Sequence, residues 1–107
     1  MRFKRGDTFV LAATRRDDSG APKDITGYDV RAQVRNGGVL VCNLEFAAVD
    51  LAAGHFTMTA TATQTATWPL GDLVCDIRYQ SPEGVVESTE MFYIQVRQGV
   101  TAVTGTP

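Results

Sequence analysis

The fold is decided by an alternating stretch that runs into a tight-turn sequence: Tyr28-Asp29-Val30-Arg31-Ala32-Gln33-Val34-Arg35-Asn36-Gly37-Gly38. From 28 to 35 the apolar residues occupy even positions and the polar residues odd positions. Successive side chains of a strand point to opposite faces of a sheet, so this pattern predicts a half-buried strand. The Asn-Gly pair favours a two-residue hairpin, because the central residues of a type I′ turn take positive φ.

The strand after this turn is predicted to run from Val39 to Phe46 and to pair antiparallel with the first. Its predicted inward residues are Leu40, Cys42, Leu44 and Phe46. Residues 47–54 are ambiguous, since the alanines tolerate a helical turn, but their short length favours a loop between strands.

Similar runs of alternating or β-favouring residues occur on both sides of this hairpin. They predict strands at 8–14, 55–61, 72–80 and 85–97. Residues 15–24 and Ser81-Pro82-Glu83-Gly84 have the composition of turns, and residues 63–68 favour a brief helical turn that ends before Pro69. We therefore predict an all-β protein of about six to seven strands, an antiparallel β-sandwich with a barrel as the near alternative.

The length allows one domain, which we place at residues 1–97. The chain has 107 residues, of which 44% are hydrophobic and 21% charged, as in ordinary globular proteins. Residues 98–107 have no charge and no periodic pattern, so we expect an extended or disordered C-terminal arm.

Charge and hydropathy exclude several classes of partner. The formal net charge is −2, whereas domains that bind nucleic acid are usually basic. No apolar run approaches the ~20 residues that span a bilayer, and the N-terminus has no signal-peptide apolar region. We expect no nucleic-acid or membrane partner and synthesis in the cytoplasm.

The sequence has few residues that carry catalytic or metal chemistry. Cys42, Cys75 and His55 are too few and too widely spaced for a structural zinc site. Two reduced, buried thiols are favoured over a disulfide, although one disulfide stays open by count. His55 has no sequence neighbour to act on as a catalytic base. We predict no enzyme activity, no cofactor, no metal and no small-molecule substrate.

Three further motifs have ordinary explanations. Arg5-Gly6-Asp7 matches an adhesion tripeptide but recurs often by chance. The acidic residues of one loop, Asp17, Asp18 and Asp24, lack calcium-site spacing and favour a solvated turn. The glutamates at 83, 87 and 90 form no defensible carboxylate pair.

Basic residues decorate the outer faces of the predicted strands. Arg31, Arg35 and Arg78 alternate with core residues and lie near Asp29 and Asp76 in the pattern. If the strands are neighbours, these groups can form cross-strand ion pairs on a solvated face. The alternative is a polar protein–protein interface, in which Arg and Tyr are favoured.

The order of the motifs resembles small β-sandwich proteins of tailed bacteriophages. The residues that carry the resemblance are Phe3-Lys4-Arg5-Gly6-Asp7-Thr8, Asp24-Ile25-Thr26-Gly27-Tyr28-Asp29-Val30, Gly54-His55-Phe56-Thr57-Met58-Thr59, Trp68-Pro69-Leu70-Gly71, Cys75-Asp76-Ile77-Arg78-Tyr79, Gly84-Val85-Val86 and Ser88-Thr89-Glu90-Met91-Phe92-Tyr93-Ile94. The family that they resemble is the N-terminal immunoglobulin-like domain of the phage baseplate upper protein family. The resemblance covers about residues 3–97.

This resemblance implies an immunoglobulin-like sandwich and a non-enzymatic structural role on the phage particle, in the tail, baseplate, neck or capsid surface. The implied localisation is the virion and the implied partners are other virion proteins. We also expect a homo-oligomer. The expected assembly contacts are Arg31, Arg35, Arg78, Tyr93, Val100 and Val103. The alternative function is a carbohydrate- or protein-binding immunoglobulin-like module, for which Trp68 and Tyr93 are the candidate sugar-stacking aromatics.

Overall fold

Strands make up most of the computed structural model, which describes residues 1–89 and 91–99. A 3-10 helix spans Leu51–Ala53 and a short helix, α1, spans Ala62–Thr65. Within the described residues the strands are β1 (Arg2–Lys4), β2 (Phe9–Thr14), β3 (Asp29–Asn36), β4 (Val39–Asn43), β5 (Glu45–Asp50), β6 (His55–Ala60), β7 (Gly71–Gln80), β8 (Val86–Ser88) and β9 (Phe92–Arg97).

The strands form two sheets, as the turn spacing predicts. The large sheet has the order β1-β9-β7-β3-β4, and β8 pairs with the end of β7. The small sheet has the order β2-β6-β5. All pairs are antiparallel except β1 with β9, which are parallel. The all-β sandwich is thereby confirmed.

Two predicted strands are each divided in the structure, which raises the number of strands. The predicted strand 85–97 becomes β8 and β9. The run from Val39 to Phe46 divides at Leu44, where the chain passes from the large sheet to the small one. A register shift between β3 and β4 also turns Leu40 outward, where it is 43% exposed. The predicted inward position of Leu40 is therefore wrong, because a bulge reverses the alternation that the prediction assumed.

Two further local predictions need correction. The hairpin is present, but its positive φ angles belong to Gly37 and Gly38, at 58° and 87°, and Asn36 stays in the strand. Residues 47–54, expected to be a loop, continue β5 to Asp50 and then form the 3-10 helix. Alanine has a low propensity for strands, so the sequence pattern did not indicate that β5 continues through residues 47–50.

The core lies between the sheets and follows the predicted alternation. The fully buried side chains include Val34 of β3, Leu73 and Cys75 of β7, and Phe56 and Met58 of β6. At one end, the Trp68 ring closes the sandwich against Phe3 and Phe9, with ring centroids 5.5 Å from each. This corner is supported by α1, whose N-cap Thr61 and Gln64 form a capping box.

The predicted C-terminal arm lies mostly outside the described residues, which end at Gly99. Among the residues that the structure describes, no helix has the length and apolarity needed to cross a bilayer.

Candidate assembly surface

Four of the predicted assembly contacts lie on one surface, the outer face of the large sheet. Arg31 and Arg35 belong to β3, Arg78 to β7 and Tyr93 to β9, and each alternates with a buried residue. Val100 and Val103, the other two predicted contacts, lie outside the described residues.

An apolar row crosses the middle of this face. Leu40 pairs with Arg35, Arg35 with Val74, and Val74 with Tyr93, so the row spans β4, β3, β7 and β9, with the charged Arg35 between Leu40 and Val74. Leu40 is 43% exposed and Tyr93 56% exposed. We call the residues Leu40, Val74 and Tyr93 the apolar row. An exposed tyrosine beside aliphatic side chains is typical of the centre of a protein interface.

A pair of basic residues lies on each side of the apolar row. Arg31 is the register partner of Arg78, and Lys4 is the register partner of Arg97. Each pair is four residues along the strands from the row, which is about 13 Å. Like charges that lie opposite each other on neighbouring strands repel, so each pair is a site of like-charge repulsion on this face.

The outer face is basic although the chain as a whole is acidic. It holds six basic residues, namely Arg2, Lys4, Arg31, Arg35, Arg78 and Arg97, and three carboxylates, namely Asp29, Asp72 and Asp76. Elsewhere in the described residues there are four basic and eight acidic residues. We call this surface the basic face. Its charge differs in sign from the rest of the described molecule.

The carboxylates compensate this charge only in part. Arg31 forms an ion pair with Asp29, its neighbour on the same strand, at 3.1 Å. No cross-strand ion pair joins the predicted groups within the described part of the chain, so that prediction is wrong. The register is the reason, because it places Arg31 opposite Arg78 and Asp76 opposite Gln33.

Arg35 is held in place within the row, between Leu40 and Val74. Its guanidinium donates to the Gly38 carbonyl at 3.0 Å and to Gln33 Oε1 at 2.7 Å. A guanidinium held flat on a sheet loses less side-chain entropy when a partner binds it.

Three basic residues of this face were missed from the sequence. Arg2, Lys4 and Arg97 come from the two ends of the chain and meet only because β1 pairs parallel to β9. No pattern within the sequence of either segment shows that the two distant segments pair. The signal that was available is the alternation of β9, in which Tyr93, Gln95 and Arg97 fall opposite the buried Ile94 and Val96.

The few residues able to carry catalytic or metal chemistry, His55, Cys42 and Cys75, are not assembled into one site. His55 lies on the outer face of the small sheet, where its Nδ1 and the Thr14 hydroxyl are hydrogen-bonded at 2.8 Å. Cys42 and Cys75 are free and buried in the core. Burial, aided by the nearby Asp76 charge, raises the pKa of the Cys75 thiol to about 12, and burial also raises the pKa of Cys42. Thiols of this kind are poor nucleophiles near neutral pH.

The Arg-Gly-Asp and aspartate motifs have structural roles. The Thr65 hydroxyl donates to the Asp7 carbonyl at 2.6 Å and accepts from the Gly6 N–H at 3.1 Å. The tripeptide is therefore bound to the Trp68 corner. Asp17 accepts hydrogen bonds from Ser19 and Ala21, as expected for a turn, and the bond from Ser19 helps to lower its pKa.

A small cavity of about 220 Å³ opens at the opposite end of the sandwich from Trp68. Tyr28, Tyr79, Lys23 and Glu87 are among its lining residues. The Arg15 guanidinium lies over the Tyr79 ring at 4.5 Å and forms an ion pair with Glu87. This network binds the loop of residues 15–24 to the β7–β8 hairpin through a half-buried Arg15 and an exposed Glu87.

The position of Trp68 removes one of the two aromatics on which sugar binding was expected to depend. Trp68 is 1% exposed, so its ring cannot stack on a carbohydrate in solvent. Tyr93 is exposed, but it lies in the apolar row between basic pairs.

Comparison with solved structures places this sandwich among immunoglobulin-like domains. The chain is similar to the N-terminal domain of phage TP901-1 ORF48, with a TM-score of 0.67, 16% identity, and coverage of 91% of this chain and 83% of that one. A mutant SrpA adhesin from Streptococcus sanguinis is similar at a TM-score of 0.55, with 19% identity and 91% and 54% coverage. The Lin-41 filamin domain is similar at 0.53, with 14% identity and 92% and 84% coverage.

At these identities the likeness establishes the fold. The predicted resemblance to phage immunoglobulin-like domains is confirmed at that level. No protein-family model matches the sequence, and the search of curated proteins gives no significant match.

Proposed function

We propose that this protein is a non-enzymatic structural component of a bacteriophage particle, and that its basic face is the surface by which it docks on another virion protein. The observation that carries the proposal is the arrangement of this face, in which the exposed Leu40 and Tyr93 and the half-buried Val74 lie between two basic pairs. The similarity of the fold to a phage domain supports the particle as the place of action.

The expected partner is a protein surface with acidic residues around an apolar centre. Leu40 and Tyr93 would lose exposed apolar area on docking, which is favourable at roughly 25 cal/mol per Å². Carboxylates of the partner would relieve the repulsion within the two basic pairs. The rim charges would act mainly on association rate and partner choice.

Nucleic acid is a less suitable partner for the same face. Asp29, Asp72 and Asp76 lie among its basic residues, and each would repel a phosphate backbone. A protein partner can match both signs of charge.

The test is quantitative mass spectrometry of phage particles purified by density gradient. We expect the protein at a constant copy number per particle. A copy number like that of the major capsid protein would assign it to the capsid surface, and one like that of tail or portal proteins would assign it to the tail, neck or baseplate. Absence from purified particles would overturn the proposal.

A further inference from the structure

We infer that β2 is a dimerisation edge that pairs antiparallel with β2 of a second copy across a two-fold axis. The small sheets of the two copies would join into one continuous sheet. This inference goes beyond the proposed function and is independent of it, because it uses the small sheet and leaves the basic face free.

The first step compares the five edge strands among the described residues. β8 has three residues and carries Glu87. β1 has three residues and carries Arg2 and Lys4, and β5 carries Glu45 and Asp50 and has a register shift. β4 has five residues and an irregular register with β3. Short length, charge and bulges are the devices by which proteins protect sheet edges from pairing.

β2 has none of these protections. Its six residues, Phe9–Thr14, include no charge, proline or glycine, and all six are in regular register with β6. β2 is the end strand of its sheet and, among the described residues, it pairs with β6 alone. A long, uncharged and regular edge of this kind is a template for strand addition.

The second step identifies the backbone groups that face outward. The Arg15 N–H donates to the Gly54 carbonyl at 2.9 Å, in the same register as the β2–β6 pair. Bonding alternates along an antiparallel strand, so odd-numbered residues bond to β6. The N–H and C=O groups of Val10, Ala12 and Thr14 therefore point to the open edge.

The third step asks which strand pairs with this open edge, and β2 of a second copy fits it. Placing Ala12 opposite the partner's Ala12 pairs Val10 with the partner's Thr14, so every outward backbone group of the strand finds a partner. In antiparallel self-pairing, the start of one strand lies beside the end of the other. In this register the exposed Asp7 lies opposite the exposed Asp17 of the second copy, beyond the ends of β2, so the six uncharged residues of β2 carry the contact.

The side chains next to the edge also permit this approach. Val10 is 59% exposed, and the outer face beside it carries Ala12, Thr57 and Thr59. Short side chains leave the backbone accessible at the ~4.8 Å spacing of paired strands. One strand pair buries less than the ~1,200 Å² of a stable interface, so we expect association that grows with protein concentration.

The test traps the pair through a cysteine at its centre. In the full chain we expect Ala12→Cys to form a disulfide-linked dimer in a glutathione redox buffer, because Cα atoms of bonded antiparallel partners lie about 5.5 Å apart. The matched control is Ala47→Cys on the opposite edge of the same sheet. The native thiols do not interfere, since both are buried. We expect at least tenfold more dimer from Ala12→Cys, and equal yields would overturn the inference.

Sedimentation equilibrium supplies a second, non-covalent readout. The wild-type weight-average mass should rise with concentration from 11.6 kDa toward twice that value. Val10→Lys should remain monomeric, whereas Val49→Lys, which changes a valine that is 67% exposed on β5, should behave as wild type.

Two results would overturn the inference by this method. One is a wild-type chain that stays monomeric at every concentration. The other is loss of association in Val103→Lys but not in Val10→Lys, which would assign the contact to the C-terminal segment of a neighbouring copy.

Discussion

Cys75 shows how a single buried side chain couples this fold to pH. Its thiol is 2% exposed between the sheets, and burial is the main cause that raises its pKa from the ordinary 9.0 to about 12. The fold therefore favours the neutral thiol. Its contribution to stability is complete below pH 9 and is lost as the pH rises from 9 toward 12, because the unfolded chain releases a proton that the folded chain retains.

We predict that the free energy of unfolding declines above pH 9 and that Cys75→Ala reduces this decline. One such group lowers the free energy of unfolding by at most about 1.4 kcal/mol for each pH unit. Urea unfolding at pH 7, 9 and 10.5 measures how steeply the free energy of unfolding falls with pH. The variant loses core packing at every pH, so the two proteins are compared by this slope and not by their absolute stability. The raised pKa values of Tyr79 and Cys42 leave a residual decline in the variant. Parallel curves for the two proteins would contradict this account.

Strict alternation made single core residues predictable. Cys42, Leu44 and Cys75 were expected inward, and all are buried. Leu40 could not be placed, because a bulge depends on how two strands meet and leaves the local sequence unchanged. The outward position of Leu40 matters, since it supplies one end of the apolar row.

At the scale of elements, the turn at Gly54 joins three parts of the chain. Gly54 caps the 3-10 helix with a φ of 74°, and its carbonyl accepts from the Arg15 N–H. A Cβ at this position would lie 2.5 Å from the Lys23 carbonyl oxygen and 2.7 Å from that of Arg15. Both obstructing atoms belong to the backbone, so they cannot move aside as a flexible side chain can.

We predict that Gly54→Ala destabilises the protein by at least about 2 kcal/mol more than Gly38→Ala. Gly38 is a matched control, because its φ of 87° is also left-handed but no atom beyond the glycine and its two chain neighbours lies within 4 Å of the place that an alanine methyl group would take. Both variants pay the conformational cost of about 1–2 kcal/mol, and only Gly54→Ala also forces backbone apart. Guanidinium unfolding of both variants checks the difference, and equal losses would show that the contact at Gly54 is not rigid.

Strands were predictable where apolar and polar residues alternated along their whole length. They were missed where the chain passed from one sheet to the other. β3 and β7 follow the predicted alternation, and their bounds differ from it by one residue. β4 and β5 were merged, because Leu44 continues the apolar alternation while the backbone crosses between sheets. This crossing makes β4 an edge of the large sheet and β5 an edge of the small sheet.

At the scale of the whole molecule, the basic face is the feature that local sequence could not predict completely. Arg31, Arg35, Arg78 and Tyr93 were expected as contacts because each alternates with core residues. Arg2, Lys4 and Arg97 join them through the parallel pairing of the chain's two ends, which follows from the complete topology. A net charge of −2 therefore conceals a face of opposite sign.

The most direct test of this account is competitive incorporation into particles. Wild-type protein would be co-expressed in the phage-producing cell with Arg78→Glu or, as a matched control, with Arg16→Glu. Arg78 lies in a basic pair, whereas the exposed Arg16 lies outside the basic face. Mass spectrometry of purified particles would distinguish the variant peptides from the wild-type ones. We predict that Arg78→Glu is depleted at least tenfold relative to wild type and that Arg16→Glu is not. Equal incorporation of Arg78→Glu and wild type would contradict the claim that the basic face docks this protein on the particle.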